Sequence, residues 1–82
     1  MHLVKIIPSS RANKKYDAYL LENGTTRIVS FGDVRYAHYH DKIGYYKNLN
    51  HNDPRRRELY YKRHNLNYPK YSADWFSKNY LW

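Results

Sequence analysis

From Tyr16 onward the chain alternates: Tyr16, Ala18 and Leu20 fall on one side, and Asp17, Tyr19 and Leu21 on the other. This period of two, in β-favouring residues, predicts a strand. Asn23-Gly24 follows, supplying the two positive-φ positions of a tight hairpin turn. The pattern then resumes from Thr26 to Phe31, with Ile28 and Ser30 opposite Arg27, Val29 and Phe31. Leu3 to Ile7 reads as a further short strand ended by Pro8-Ser9-Ser10, and Arg11-Ala12-Asn13-Lys14-Lys15 as a basic loop. Residues 1–13 are therefore expected to form a loosely attached arm, and residues 14–82 a single domain.

Gly32-Asp33 closes the hairpin, and Val34 to Asn50, rich in Tyr, His and Asn, carries little periodicity. It reads as a structured connector with one helical turn near Val34 to His38. At His51-Asn52-Asp53-Pro54 the signal sharpens. Asp53 can accept from the free N–H groups of a helix whose first residue, Pro54, has φ already set. The helix should run from Pro54 to His64 with Asn65 as a left-handed cap, and Glu58 and Lys62 stand at the favourable i,i+4 spacing. Asn67-Tyr68-Pro69-Lys70 reads as a turn. Ser72 then caps a second helix carrying Trp75, Phe76, Tyr80, Leu81 and Trp82. Phe76 and Tyr80 share a face, which should pack on the hairpin. The expected fold is a small α+β domain: a β-hairpin, extended to three strands if Leu3–Ile7 joins it, packed against two C-terminal helices.

At 82 residues the chain is short for two domains. It has no cysteine, which rules out disulfides and thiolate-held zinc or iron–sulfur sites. No apolar stretch is long enough to span a bilayer, and Met1 to Pro8 lacks the apolar run of a signal peptide. Membrane and secretory readings are set aside.

Charge changes the picture most. Fifteen Lys+Arg against seven Asp+Glu give a formal +8, and eleven of fifteen aromatic residues are tyrosine. The cations concentrate at the two ends, with +7 against −3 in residues 51–82. A positive surface studded with flat amphipathic rings suits nucleic acid. The Pro54–His64 helix carries Arg55, Arg56, Arg57, Lys62 and Arg63, too widely spread around its axis for all to be buried. These are the expected phosphate ligands, with Tyr60 and Tyr61 stacking on bases and Lys14 and Lys15 as a second contact. The competing reading is a solvated basic face in which Arg56 or Arg63 pairs internally with Asp33, Asp41 or Asp74.

Five histidines raise a metal question. His38-x-His40, completed by His51 or His64, has donor spacing but neither thiolates nor a carboxylate at a recognised helical offset. No metal and no other cofactor is expected. His51-Asn52 and His64-Asn65 resemble fragments of His-Asn-His nucleases, yet the two histidines bracket one helix about 13 residues, roughly 20 Å, apart rather than lying on a strand end and a following helix. No phosphate loop, nucleophile triad or paired carboxylates are present, so a non-catalytic protein is expected.

The ordered set Lys14-Lys15-Tyr16, Phe31-Gly32-Asp33 with Tyr36 and Tyr39, His51 to Arg57 with Tyr60 to His64, and Tyr71 to Trp82 resembles a family of small uncharacterised basic proteins. Its members occur in large DNA viruses, including giant viruses of protists, with similar segments in tailed phages. The resemblance spans Lys14 to Trp82 and implies a viral origin and a single domain. It lends no catalytic or binding residue. The function expected is sequence-independent nucleic-acid binding, DNA ahead of RNA, in viral genome packaging or handling. The location would be the virion interior or the host nucleus or cytoplasm. The alternative is a structural virion protein, a minor capsid or core component, whose basic surface meets an acidic protein partner.

Overall fold

A computed structural model describes residues 1–64 and 68–82 of the chain. The elements follow in the order β1 (His2–Pro8), β2 (Lys14–Glu22), β3 (Thr25–Asp33), α1 (Pro54–Arg63) and α2 (Ala73–Tyr80), with a short 3-10 turn at Lys47–Leu49. The three strands form one antiparallel sheet in sequence order. The domain is thus α+β, a three-stranded sheet packed with two C-terminal helices.

The hairpin turns at Asn23-Gly24 as expected, with φ 51° and 77° there, and pairs Tyr16 with Phe31 and Glu22 with Thr25. One sheet face buries Tyr16, Ala18, Leu20 and Phe31, and against it stand Phe76 and Leu81 at the C-terminal end. The rings of Phe31 and Phe76 stack at 5.2 Å, and α2 is the helix that lies along β3. Both helices begin as their sequence signals require. Asp53 accepts from the N–H groups of Arg55 and Arg56, and Ser72 Oγ from that of Trp75 at 3.2 Å.

The N-terminal segment departs from expectation. Residues 2–8 are not a loose arm: β1 pairs with β2 from His2↔Leu21 to Pro8↔Tyr16, and Leu3 and Ile6 pack against the core. The strand read at Leu3–Ile7 therefore joins the hairpin as its third strand, with a register shift between Leu3 and Lys5 that leaves a bulge at Val4. The expected helical turn at Val34–His38 is likewise displaced. Val34 to Tyr36 forms a turn closed by Tyr36 N–H donating to Asp33 O, and the connector's one helical turn lies at Lys47–Leu49. α1 ends at Arg63 with His64 as its C-cap. The cap expected at Asn65 and the start of the turn expected at Asn67 lie outside the described residues.

The connector is stitched down by its backbone. His40 and Lys42 N–H groups donate to Leu81 O and Tyr80 O, and His38 exchanges bonds with Leu49 and His51. At Gly32, with φ 74°, a side chain would come within 3.0 Å of Leu81 and of the Lys15 stem. Only glycine lets the sheet, the C-terminal segment and Lys15 close together there.

Candidate nucleic-acid interface

Helix α1 divides cleanly around its axis. Arg55, Arg56, Leu59, Lys62 and Arg63 are exposed, while Tyr60 is buried and Arg57, Tyr61 and His64 are half-buried. At 100° per residue the exposed set forms one continuous arc. Glu58 borders it and pairs with Lys62 at 3.2 Å, both side chains in water, where such a pair leaves most of the lysine's charge available to a polyanion. The exposed arc is a basic face with Leu59, 46 % exposed, near its centre.

The inward side is an aromatic clamp on the end of the chain. Tyr60 stacks on Trp82 on one side (4.4 Å, planes parallel) and on His64 on the other (4.1 Å). Beyond Trp82 lies His51 at 5.1 Å. Arg57 Nε and Tyr61 Oη both donate to the main-chain oxygen of Trp82 at 2.8 Å. The Arg57 guanidinium lies over the Tyr39 and Tyr61 rings, 4.9 and 5.0 Å from their centroids.

Four of the expected ligands are therefore otherwise engaged. Tyr60 has both faces covered and cannot take a base between them, and Tyr61 is turned to Trp82. Arg57 is bound to a carbonyl and two rings. Lys15 is 2 % exposed, and its Nζ donates to Tyr36 O at 2.8 Å and to His38 Nδ1 at 2.7 Å. It is a structural cation, not a phosphate ligand. A lysine at the start of a strand gives no sign in sequence that loop residues 36 to 38 will fold over it. Arg55, Arg56, Lys62, Arg63 and Lys14 remain on the surface.

The internal pairing considered for Arg56 and Arg63 is also not made with Asp33 or Asp41. Asp33 takes a two-pronged bond from Arg35, which together with the Arg35 N–H holds its carboxyl low, at about 2. Asp41 is buried and accepts from Tyr16 Oη and from the N–H groups of Ile43 and Tyr46. Burial opposes ionisation of Asp41, and these hydrogen bonds outweigh it and hold its carboxyl below the usual range.

Lys15, His38, Asn50, Asp41 and Tyr16 make one polar chain through the interior. Lys15 donates to His38 Nδ1, so the ring proton sits on Nε2 and is donated to Asn50 Oδ1 at 2.6 Å. That oxygen also accepts the Asp41 N–H at 2.7 Å. Burial lowers the Lys15 ammonium to about 8, against the opposing pull of Asp41 and Asp33. Burial and then the Lys15 charge depress His38, and burial and then the Asp41 hydrogen bond raise Tyr16. With both ring nitrogens occupied, His38 has no lone pair for a metal, and no group of three or more His, Cys, Asp or Glu among the described residues is placed to hold one. No helix among them is long and apolar enough to cross a membrane.

Tyr36, which sequence reasoning placed within the family resemblance but not among the expected ligands, is 66 % exposed and lines a cleft with Lys14 and with Tyr60 and His64 of α1.

No curated protein and no solved structure matches this chain. A family model does, over residues 4–64, which is 61 of the 82 residues. It takes in most of β1, which the viral resemblance had left outside at Lys14, and it stops before Tyr71 to Trp82, which that resemblance had included. On this match the chain belongs to the DUF5754 family, a family of unknown function.

Proposed function

We propose that this protein binds nucleic acid without sequence preference, through the outward face of α1. The observation that carries the reading is the division of that helix. Arg57, Tyr60 and Tyr61 dock it on the body, which leaves Arg55, Arg56, Lys62 and Arg63 directed to solvent along one side. Arginines at this spacing track a phosphate backbone, which fixes position but carries no base information. A role in viral genome packaging or handling, with DNA ahead of RNA, follows if the resemblance to proteins of large DNA viruses reflects common origin.

A salt titration of duplex binding tests it. Four or five phosphate contacts give a log–log slope of about −4, and reversing Arg56 and Arg63 to Glu weakens all sequences alike. A slope near zero would sink the proposal.

One feature favours the second reading, a structural virion component that binds an acidic protein. Leu59 lies exposed in the middle of the basic arc, where a protein partner would bury it and a phosphate backbone would not. Leu59→Ala separates the two: it leaves nucleic-acid affinity within about twofold and weakens a protein complex about tenfold.

A further inference from the structure

Beside the basic face of α1 lies a cleft of about 280 Å³, lined by Lys14, Tyr36, Tyr60, His64, Asp74 and Ser77 among others. Its walls come from β2, the turn after β3, the end of α1 and the start of α2, so its shape is set by the whole fold. Tyr36 stands at the edge with its ring largely in solvent and its backbone fixed at both ends. The carbonyl accepts from buried Lys15, and the N–H donates to Asp33 O at 3.1 Å. The Arg35–Asp33 pair stiffens the same turn. Buried Lys15 thus fixes the backbone from which the exposed Tyr36 ring projects, and the Arg35 guanidinium lies 5.9 Å from that ring's centroid.

The charge inside the cleft differs from that outside. Asp33 and Asp74 line it together with Lys14 and buried Lys15, so the lining has no excess of cations to hold an isolated phosphate, while Arg63 is exposed nearby on α1. The group that fits is flat, uncharged, able to donate and accept hydrogen bonds, and attached to a polyanion. We propose that the cleft takes one unpaired base of a nucleic-acid strand, stacked on Tyr36, while the flanking phosphates lie on Lys14 and the outward arginines of α1. This rests on the nucleic-acid reading of α1 and adds to it a preference for single strands, because a paired base enters only after losing its stacking and pairing, at a cost in free energy.

The test compares a short oligothymidine strand, an abasic strand of equal length, and a duplex, each titrated with the full chain at one salt concentration. Variants are Tyr36→Ala, Tyr36→Phe and the pair Arg56→Glu with Arg63→Glu. Tyr36→Ala is expected to weaken oligothymidine binding about 5- to 100-fold and to change abasic and duplex binding less than twofold. Tyr36→Phe, which keeps the ring, should bind nearly as the parent does. Because Tyr36 is exposed, the melting temperature checks that the fold is kept. If Tyr36→Ala leaves oligothymidine binding unchanged, or lowers all three ligands equally, the base pocket is overturned. If the arginine variants still abolish binding in that case, the α1 reading survives it. Absence of binding to all three ligands by the parent chain would overturn both.

Discussion

Trp82 and Tyr60 lie face to face, ring centroids 4.4 Å apart and planes parallel, and this pair ties the last residue of the chain to the helix that bears the basic face. With the Trp82 main-chain oxygen held by Arg57 and Tyr61, it forms the seat on which α1 rests. α2, by contrast, lies directly on β3.

Trp82→Ala is accordingly expected to loosen α1 before the sheet. Loss of a half-buried indole should cost about 2–3 kcal/mol, which in a domain of this size lowers the melting temperature by about 10–20 °C. Hydrogen exchange would show α1 amides opening earlier than those of β2 and β3. Unchanged protection of α1 would mean that the clamp does not hold it.

Phe76 is fully buried between Phe31 and the aromatic residues of its own segment, Tyr71, Trp75 and Tyr80. Phe76→Ala should cost about 3–5 kcal/mol, a large share of the stability of so small a domain. A chain ending at Ser72 loses Phe76 and Leu81 together and should show no cooperative thermal transition. The segment matched by the family model, which stops at residue 64, should fail in the same way when made alone.

Stability should rise with pH between about 8 and 10. Lys15 has its folded pKa lowered from 10.5 to about 8, so over that interval the unfolded chain binds more protons than the folded one. The penalty of burying the charged amine then fades as pH rises, by up to about 3 kcal/mol. Above about 10 the sign reverses, because Tyr16 and Tyr60 are raised in the folded state and the unfolded chain ionises first. Urea midpoints across this range are the measurement. Lys15→Met should flatten the rise, whatever its effect on the midpoint at neutral pH.

Acid should act in two stages. His38 and His51 are depressed in the folded state, so the unfolded chain takes up protons first and stability falls as pH drops below about 6.5. Asp41, also depressed, keeps its contribution until pH falls through about 3.8 and then loses it. His38→Gln should shrink the first stage and leave the second. A single transition below pH 4 in the parent chain would contradict the neutral, doubly bonded state of His38.

Chelation should leave the melting temperature unchanged. His38 spends both ring nitrogens on Lys15 and Asn50, so the histidine set that sequence spacing suggested lacks its first member. A structural zinc ion would add on the order of 10 kcal/mol, so a fall on chelation with one metal bound per chain could not be missed.

What sequence made legible here was local. The hairpin follows from alternation and from Asn23-Gly24, and the two helix starts from Asp53-Pro54 and Ser72, because each signal and its effect lie within a few residues. The misreadings involve distant partners. Lys15 looks like a surface cation until His38, 23 residues on, closes over it. Tyr60 looks like a base-stacking ring until Trp82, 22 residues on, covers it. Leu3–Ile7 was legible as a strand, but its attachment to the sheet was not, because the partners that hold it lie on β2, as far away as Leu21 for His2. For the candidate site, the cations of α1 were evident, but which of them face outward depends on those same long-range contacts.

The core joins the chain's early strands to its last helix, and this has a bearing on how the protein is made. β1, β2 and β3 are synthesised first and pair as neighbours, which favours rapid local hairpin closure. Their apolar face, with Tyr16, Leu20 and Phe31, stays uncovered until Phe76 and Leu81 have been added. A translating ribosome therefore carries for a time a paired sheet with one sticky side, the kind of intermediate that associates with its neighbours when crowded. The yield of folded protein should depend on how quickly the final aromatic segment arrives, and slowing translation after residue 64 should send more of it into aggregates.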